Sequence, residues 1–364
     1  MSRGLLGLGS LLLVALLGLS STSQAQLSRD RVSEYLSPEG KVRQARTAAE
    51  WETRRTSIHV SMQAIMGAFP GHSNRCPLEI IQEAETHLGT YVRRQISYQI
   101  LPGVRVPAYL LVPKSVLTDG RKTQGVLTLH QTHPEGRKVV VGLGNSPDDE
   151  YAVELVKRGY VCLAPPYPML ADYWPDVKKL GFDSGTMMAI WINSRGLDLL
   201  CTLPFVETNR FGCIGHSLGG HNGIYTAAFD SRIAAVVSSC GLDSYRDYYD
   251  GDPANWQPER GWCQTRYMPR LAGYHGRLHE LPFDFPEVLA AIAPRRIFIN
   301  APTGDSNFRW RSVDRVVKSA NEVFALFPGA VPIRVEHPDS PHRFPPEVRE
   351  EAYRVLDLVL RPSR

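Results

Sequence analysis

From residue 125 onward the hydrophobic positions come in short runs. Residues 125–130, 160–165, 211–215, 233–240, 296–301 and 333–337 read as strands, most of them apolar without alternation. That pattern belongs to strands covered on both faces. Segments with helical spacing stand between or after them: 150–158, 185–203, 221–228, and stretches centred on Val316 and Tyr353. The alternation predicts an α/β fold, a mostly parallel sheet with helices on both faces. Upstream, 91–101 and 104–113 flank Pro102-Gly103 and predict a β-hairpin. Residues 26–90 are polar, with Trp51, Ile58, Met62, Ile65 and Met66 at helical spacing, and predict a helical N-terminal extension.

One segment breaks the alternation. Residues 242–286 are rich in Tyr, Trp, Arg, Asp, Gly and Pro, and lie between two strands. The segment is too long for an ordinary connection. Placed after a strand C-terminus, it predicts a cap over the catalytic edge of the sheet. At the other end, Met1-Ser2-Arg3, an apolar run over 5–19 and Ser23-Gln24-Ala25 predict a secretory signal peptide cut after Ala25. The apolar run is broken by Gly7, Gly9, Ser10 and Gly18. It is also shorter than the ~20 residues of a membrane span. The expected protein is therefore secreted or periplasmic, with no stable membrane anchor after cleavage. Its hydrolase domain is expected over 91–364.

Composition narrows the class. The chain has 364 residues, 43% hydrophobic and 21% charged, as a globular protein should. The net charge is +4 and the basic residues are scattered, so there is no nucleic-acid footprint. Of six cysteines, Cys162, Cys213 and Cys240 fall in expected core strands and Cys201 near a helix end. Cys76 and Cys263, in polar loops, are the candidates for a disulfide. His130 and His133 lack a further ligand at metal spacing. No metal or cofactor is implied.

Candidate chemistry centres on Gly215-His216-Ser217-Leu218-Gly219. A strand precedes it and a small-residue helix follows. Such a turn lifts a serine hydroxyl clear of the backbone, and the next amide opens a helix N-terminus where an oxyanion can be received. A serine needs a base and an acid to orient that base. Asp305 follows the strand 296–301, and His342 follows the last strand. The order Ser217, Asp305, His342 predicts a catalytic triad. Asp243 is the rival acid; His337 and His216 are the rival bases. Leu218 is the first expected oxyanion donor, and Gln131 or Thr132, after the strand 125–130, supplies the second. Tyr167, Tyr173, Trp174, Tyr245, Trp256, Trp262 and Trp310 are expected near the mouth, most of them as cap-core residues.

On these residues the chain resembles the secreted bacterial α/β-hydrolases grouped with acetylxylan esterases and dienelactone hydrolases. The resemblance runs from about Tyr91 to Pro362. It rests on Leu129-His130-Gln131-Thr132, residues 155–161 and 184–191, the Ser217 elbow, and residues 340–347. It implies a serine esterase with Ser217, Asp305 and His342 as triad. The chain departs at Pro341, where such relatives often carry glycine. The leading expectation is a secreted carboxylic-ester hydrolase acting on acylated carbohydrate such as acetylxylan. A serine peptidase of the prolyl-oligopeptidase type and a non-catalytic binding protein on the same scaffold are the alternatives. The expected partner is a small-molecule or polysaccharide ester; the oligomeric state stays open.

Overall fold

The structure, a computed structural model, describes Leu27 and residues 31–361. The expected signal peptide lies outside the described residues. A short hairpin of β1 (Glu34–Leu36) and β2 (Val42–Gln44) opens the chain, followed by α1 (Ala48–Met66). Then come β3 (Ile81–Leu88), β4 (Tyr91–Leu101), β5 (Val104–Pro113), α2 (Lys114–Thr118) and β6 (Thr123–Leu129). Next are α3 (Tyr151–Lys157), β7 (Val161–Ala164), α4 (Gly185–Thr202), β8 (Val206–His216) and α5 (Leu218–Phe229). The C-terminal part holds β9 (Ile233–Ser239), α6 (Phe285–Ile292), β10 (Arg296–Asn300), α7 (Trp310–Phe324), β11 (Arg334–Glu336) and α8 (Pro346–Leu360).

Nine strands form one sheet in the order β11-β10-β9-β8-β6-β7-β5-β4-β3. The six from β7 to β11 run parallel, and β5, β4 and β3 complete the sheet antiparallel. Successive side chains on a strand point to opposite faces. On β10, Ile297 and Ile299 join the larger core while Phe298 joins the smaller one. Helices α1, α4, α5, α6 and α7 supply the first core, and α3 and α8 the second. Both faces are thus covered, as the unbroken apolar strands require.

The N-terminal segment differs from its expectation. Its helical spacing is realised in α1, where Trp51, Ile58, Met62, Ile65 and Met66 are buried. Residues 81–88 are a strand instead. Seven of the eight β3 residues are exposed, so no buried face marks the pattern. The strand exists because β4 offers an open edge, and Glu85 pairs in register with Arg94, 2.6 Å away. The expected Cys76–Cys263 disulfide is also absent. All six cysteines are free, and Cys263 is buried within the segment that follows β9. It packs there as a small apolar side chain.

Residues 242–284 are a chain of short 3-10 turns rather than regular helices. Tyr245, Trp256 and Leu271 are buried in their interior. The N-terminal helix braces this segment and α6 directly after it. Arg54 pairs with Glu287 in buried surroundings at 3.3 Å, and the Arg270 guanidinium donates to the Ala64 carbonyl at 2.9 Å. Ser184 caps α4 by accepting from the Met187 amide, and its hydroxyl donates to the Met66 carbonyl at 2.7 Å. No described helix is long and apolar enough to cross a membrane.

Candidate active site

Ser217 occupies the joint between β8 and α5 at φ 50° and ψ −121°. A side-chain-bearing residue holds that conformation only when its surroundings force it. Here backbone meets backbone. A Cβ on Gly219 would lie 1.9 Å from the Leu129 carbonyl oxygen, and one on Gly215 would lie 2.2 Å from the Gly219 carbonyl carbon. Glycine is therefore obligatory at both positions, and the ends of β6 and β8 and the start of α5 are locked together. The Ser217 amide donates to the Ser239 carbonyl at 2.7 Å. The first N–H groups of α5, Leu218 among them, have no intrahelical acceptor and face the end where Ser217 stands.

Asp305 and His342 meet as expected. The His342 Nδ1 donates to the Asp305 carboxylate at 2.9 and 3.0 Å. A carboxylate can only accept there, so Nε2 keeps its lone pair for a proton. The Asp305 side chain is 1% exposed and that of His342 is 21% exposed. Burial alone would raise the Asp305 pKa. The hydrogen bond and charge of His342, and the amides of Asn307 and Phe308, outweigh it and hold the carboxyl below its usual range. The His342 ring lies between the rings of His216 and Phe308, with centroids 4.9 and 5.9 Å away.

Ser217, Leu218, His342, Gln131 and Thr132 line one cavity of about 470 Å³. Asp305 stands behind His342, outside that lining. The five expected cavity residues are thus brought together, with the acid one step removed.

The rivals are accounted for. Asp243 accepts from the Arg309 amide at 3.0 Å, and burial pushes its pKa well up. His337 uses Nδ1 on the Ala301 carbonyl and Nε2 on Asp314. His216 lines the cavity, but its Nδ1 is engaged with Ser239 Oγ at 3.0 Å. Burial, with the neighbouring His342, lowers the His216 pKa to about 3.

Several supporting residues escaped the sequence reading. His130 donates from Nδ1 to the Gln131 carbonyl at 2.8 Å, and its Nε2 accepts from the Tyr167 amide at 2.9 Å. A carbonyl only accepts and an amide N–H only donates, so the tautomer is fixed. The imidazole thereby turns the Gln131 carbonyl inward and sets the loop after β6. Asn300 donates to Ser239 Oγ at 2.8 Å and to the Arg343 carbonyl at 2.9 Å, tying the His342 loop to β9 and β10. The only sequence signal was a polar residue ending an apolar strand. Cys240, at φ 50°, lies below the pair, and its Sγ, Asp305 and His342 stand within 4.8 Å of one another. Burial drives the thiol pKa up, its Sγ–H donates to the Arg343 carbonyl, and Asp305 Oδ1 already accepts from the Asn307 and Phe308 amides. That is the chemistry of a hydrogen-bonded pair resting on a thiol, a poor match to a metal cage.

The segment 242–284 contributes Tyr248, Tyr249, Trp262, Gln264 and Tyr267 to the cavity. Trp262 stacks on His221 with centroids 4.0 Å apart and planes at 12°. Tyr167, Tyr245 and Trp256 are core residues, whereas Trp174 is 64% exposed.

A family model described as "Glucuronyl esterase, fungi" matches residues 176–327. The chain is 26% identical over 277 residues to "Putative hydrolase YtaP" of Bacillus subtilis (strain 168), spanning 70% of this chain and 84% of that one. It is 29% identical over 152 residues to 4-O-methyl-glucuronoyl methylesterase of Hypocrea jecorina (strain QM6a), spanning 37% of this chain and 31% of that one. Among solved structures, a glucuronoyl esterase from Solibacter usitatus superposes with a TM-score of 0.70 at 17% identity, covering 91% of this chain and 97% of that one. Acetyl Xylan Esterase 1 from Thermoanaerobacterium sp. JW/SL YS485 superposes with a TM-score of 0.55 at 15% identity, covering 82% and 92%. The chain is a serine hydrolase of the α/β-hydrolase fold.

Proposed function

We propose that this hydrolase cleaves esters of a sugar acid, a uronoyl ester of the glucuronate type, with Ser217, His342 and Asp305 as the triad. Ser217 Oγ attacks the ester carbonyl while His342 Nε2 takes its proton. The Leu218 amide and the amide of Gln131 or Thr132 receive the oxyanion. His342 then protonates the departing alcohol, and water resolves the acyl-enzyme by the same route in reverse. Asp305 keeps the imidazole in the required tautomer. The observation that carries this reading is the strained Ser217 turn sharing one cavity with a histidine already oriented by a buried carboxylate.

The choice of acid rests on the relatives, which are glucuronoyl esterases by name in the matched family and in both the fungal and Solibacter proteins. The cavity supports it. Ser146, Asp149, Gln264 and Asn307 offer hydrogen-bonding groups beside the rings of Trp262 and Tyr267, as a hydroxylated ring requires. Deacetylation of xylan is the second reading, favoured by the likeness to the acetyl xylan esterase. The leader-like sequence over 1–25 fits a protein exported to meet such a substrate.

The test is a kcat/KM profile over methyl glucuronate, acetylated xylan, 4-nitrophenyl acetate and a chromogenic peptide, with fluorophosphonate labelling of Ser217. Methyl glucuronate is expected to lead. A lead for acetylated xylan selects the second reading, peptide cleavage selects the peptidase, and absence of labelling removes the triad.

A further inference from the structure

The loop that supplies the second oxyanion donor also carries a side chain that the ester mechanism leaves unused. Gln131 is 7% exposed and lines the catalytic cavity, and its Oε1 is shielded from water with no hydrogen-bond partner. Buried carboxamide atoms are nearly always paired, and one left open calls for an explanation. The residue is not loosely placed, because the His130 ring fixes its carbonyl from behind.

The sheet order says which half of the ester this group meets. Ser217 ends β8, with β6 on one side and β9, β10 and β11 on the other. His342 comes from beyond β11 and Asp305 from the end of β10, so the leaving alcohol, which takes its proton from His342, departs toward that side. Gln131 comes from the end of β6, on the opposite side of Ser217. The oxyanion donors draw the ester carbonyl to that side, so the acyl half attached to it is nearer to Gln131 than the departing alcohol is.

We infer that the Gln131 carboxamide hydrogen-bonds a hydroxyl on the acyl half of the ester, and so selects a hydroxylated acid over a plain one. This rests on the uronoyl reading and names the residue that enforces it. A carboxamide pivots about its last bond and offers both a donor and an acceptor, and a hydroxyl answers either. The Thr132 hydroxyl is 3.4 Å from the Tyr267 hydroxyl, so the next residue of the loop already has company, whereas no hydrogen bond holds the Gln131 Oε1 in place. An acetyl group carries no hydroxyl and leaves the carboxamide open. A sugar acid carries several.

The experiment compares the full chain with Gln131→Met, close to it in volume, and Gln131→Leu. Three esters are used: methyl glucuronate, methyl cyclohexanecarboxylate, which keeps the ring and removes the hydroxyls, and 4-nitrophenyl acetate. Both variants should lose about 10- to 100-fold in kcat/KM on methyl glucuronate, the usual range for a buried hydrogen bond. Measured against each of the other two esters, kcat/KM on methyl glucuronate should fall by a similar factor, since neither of those esters offers the carboxamide a hydroxyl. Glucuronic acid as a competitive inhibitor of aryl acetate cleavage should weaken by a similar factor, a readout independent of turnover on the sugar ester. Parallel losses on all three esters, or no selective loss on the sugar ester, would overturn the inference. Failure of the uronoyl reading itself shows separately, in wild-type protein that cleaves aryl acetate and ignores methyl glucuronate.

Discussion

Around Ser217 the contacts are backbone against backbone, whereas around Trp262, in the segment above it, they are ring against ring. A methyl group added at Gly219 would sit 1.9 Å from a carbonyl oxygen. No side-chain adjustment relieves that. The overlying segment is built from 3-10 turns and held by stacked and edge-on aromatic rings, among them Trp262 on His221 and Tyr245 against Trp256 at 5.6 Å. Apolar side chains exchanged at similar volume cost under about 1.5 kcal/mol, so this region can vary while the frame below cannot. The comparison teaches that the backbone frame under Ser217 admits no added atom, whereas the overlying segment is held by side-chain contacts that can be exchanged.

The largest expected effect belongs to the frame. Ser217→Ala should lower kcat on a small ester by about a millionfold with thermal stability retained. A variant with more than a small remnant of activity would remove Ser217 from its role. Next, Asp305→Asn should cost about ten-thousandfold in kcat, by loss of the productive His342 tautomer. Asp243→Asn should cost less than tenfold, because Asp243 only receives the Arg309 amide. The reverse ranking would transfer the acid to Asp243.

A third prediction spans both regions and concerns acid. Burial is the first cause of low pKa values at His130, about 4, and at His216 and His221, both about 3. All three are neutral in the folded protein at pH 5. In the unfolded chain each takes up a proton near pH 6.5. The unfolded state therefore binds more protons below that pH, and stability falls as pH drops from about 6.5 toward the folded values. The loss is about 2 kcal/mol for each histidine between pH 6.5 and 5, from 1.36 kcal/mol per pH unit. Urea midpoints at pH 7 and pH 5 measure it; equal midpoints would mean that these rings are not buried neutral.

The smallest effect sharpens the comparison. Trp262→Leu should raise KM for methyl glucuronate about tenfold while kcat on 4-nitrophenyl acetate stays within about threefold. Steady-state kinetics on the two esters separate the outcomes. A parallel fall on both would show that the segment supports the frame rather than the choice of substrate.

The chain itself determined the alternation of strands and helices, the hairpin at 91–113, and the order of Ser217, Asp305 and His342. Those features are periodic, or depend on glycine at fixed offsets, and such constraints are written locally. It also marked residues 242–286 as something other than a loop. The tertiary structure decided the rest. β3 is a strand because β4 had an open edge, and its own residues, exposed on both faces, carried no pattern of burial. Cys76 and Cys263 stay apart because Cys263 folds into the buried interior beyond β9. His130, Asn300 and the open carboxamide of Gln131 gained their places only when strand ends distant in sequence met at one edge of the sheet. A polar residue beside an apolar run looks the same whether it will brace a loop or face a substrate, and burial together with the available partners settles which.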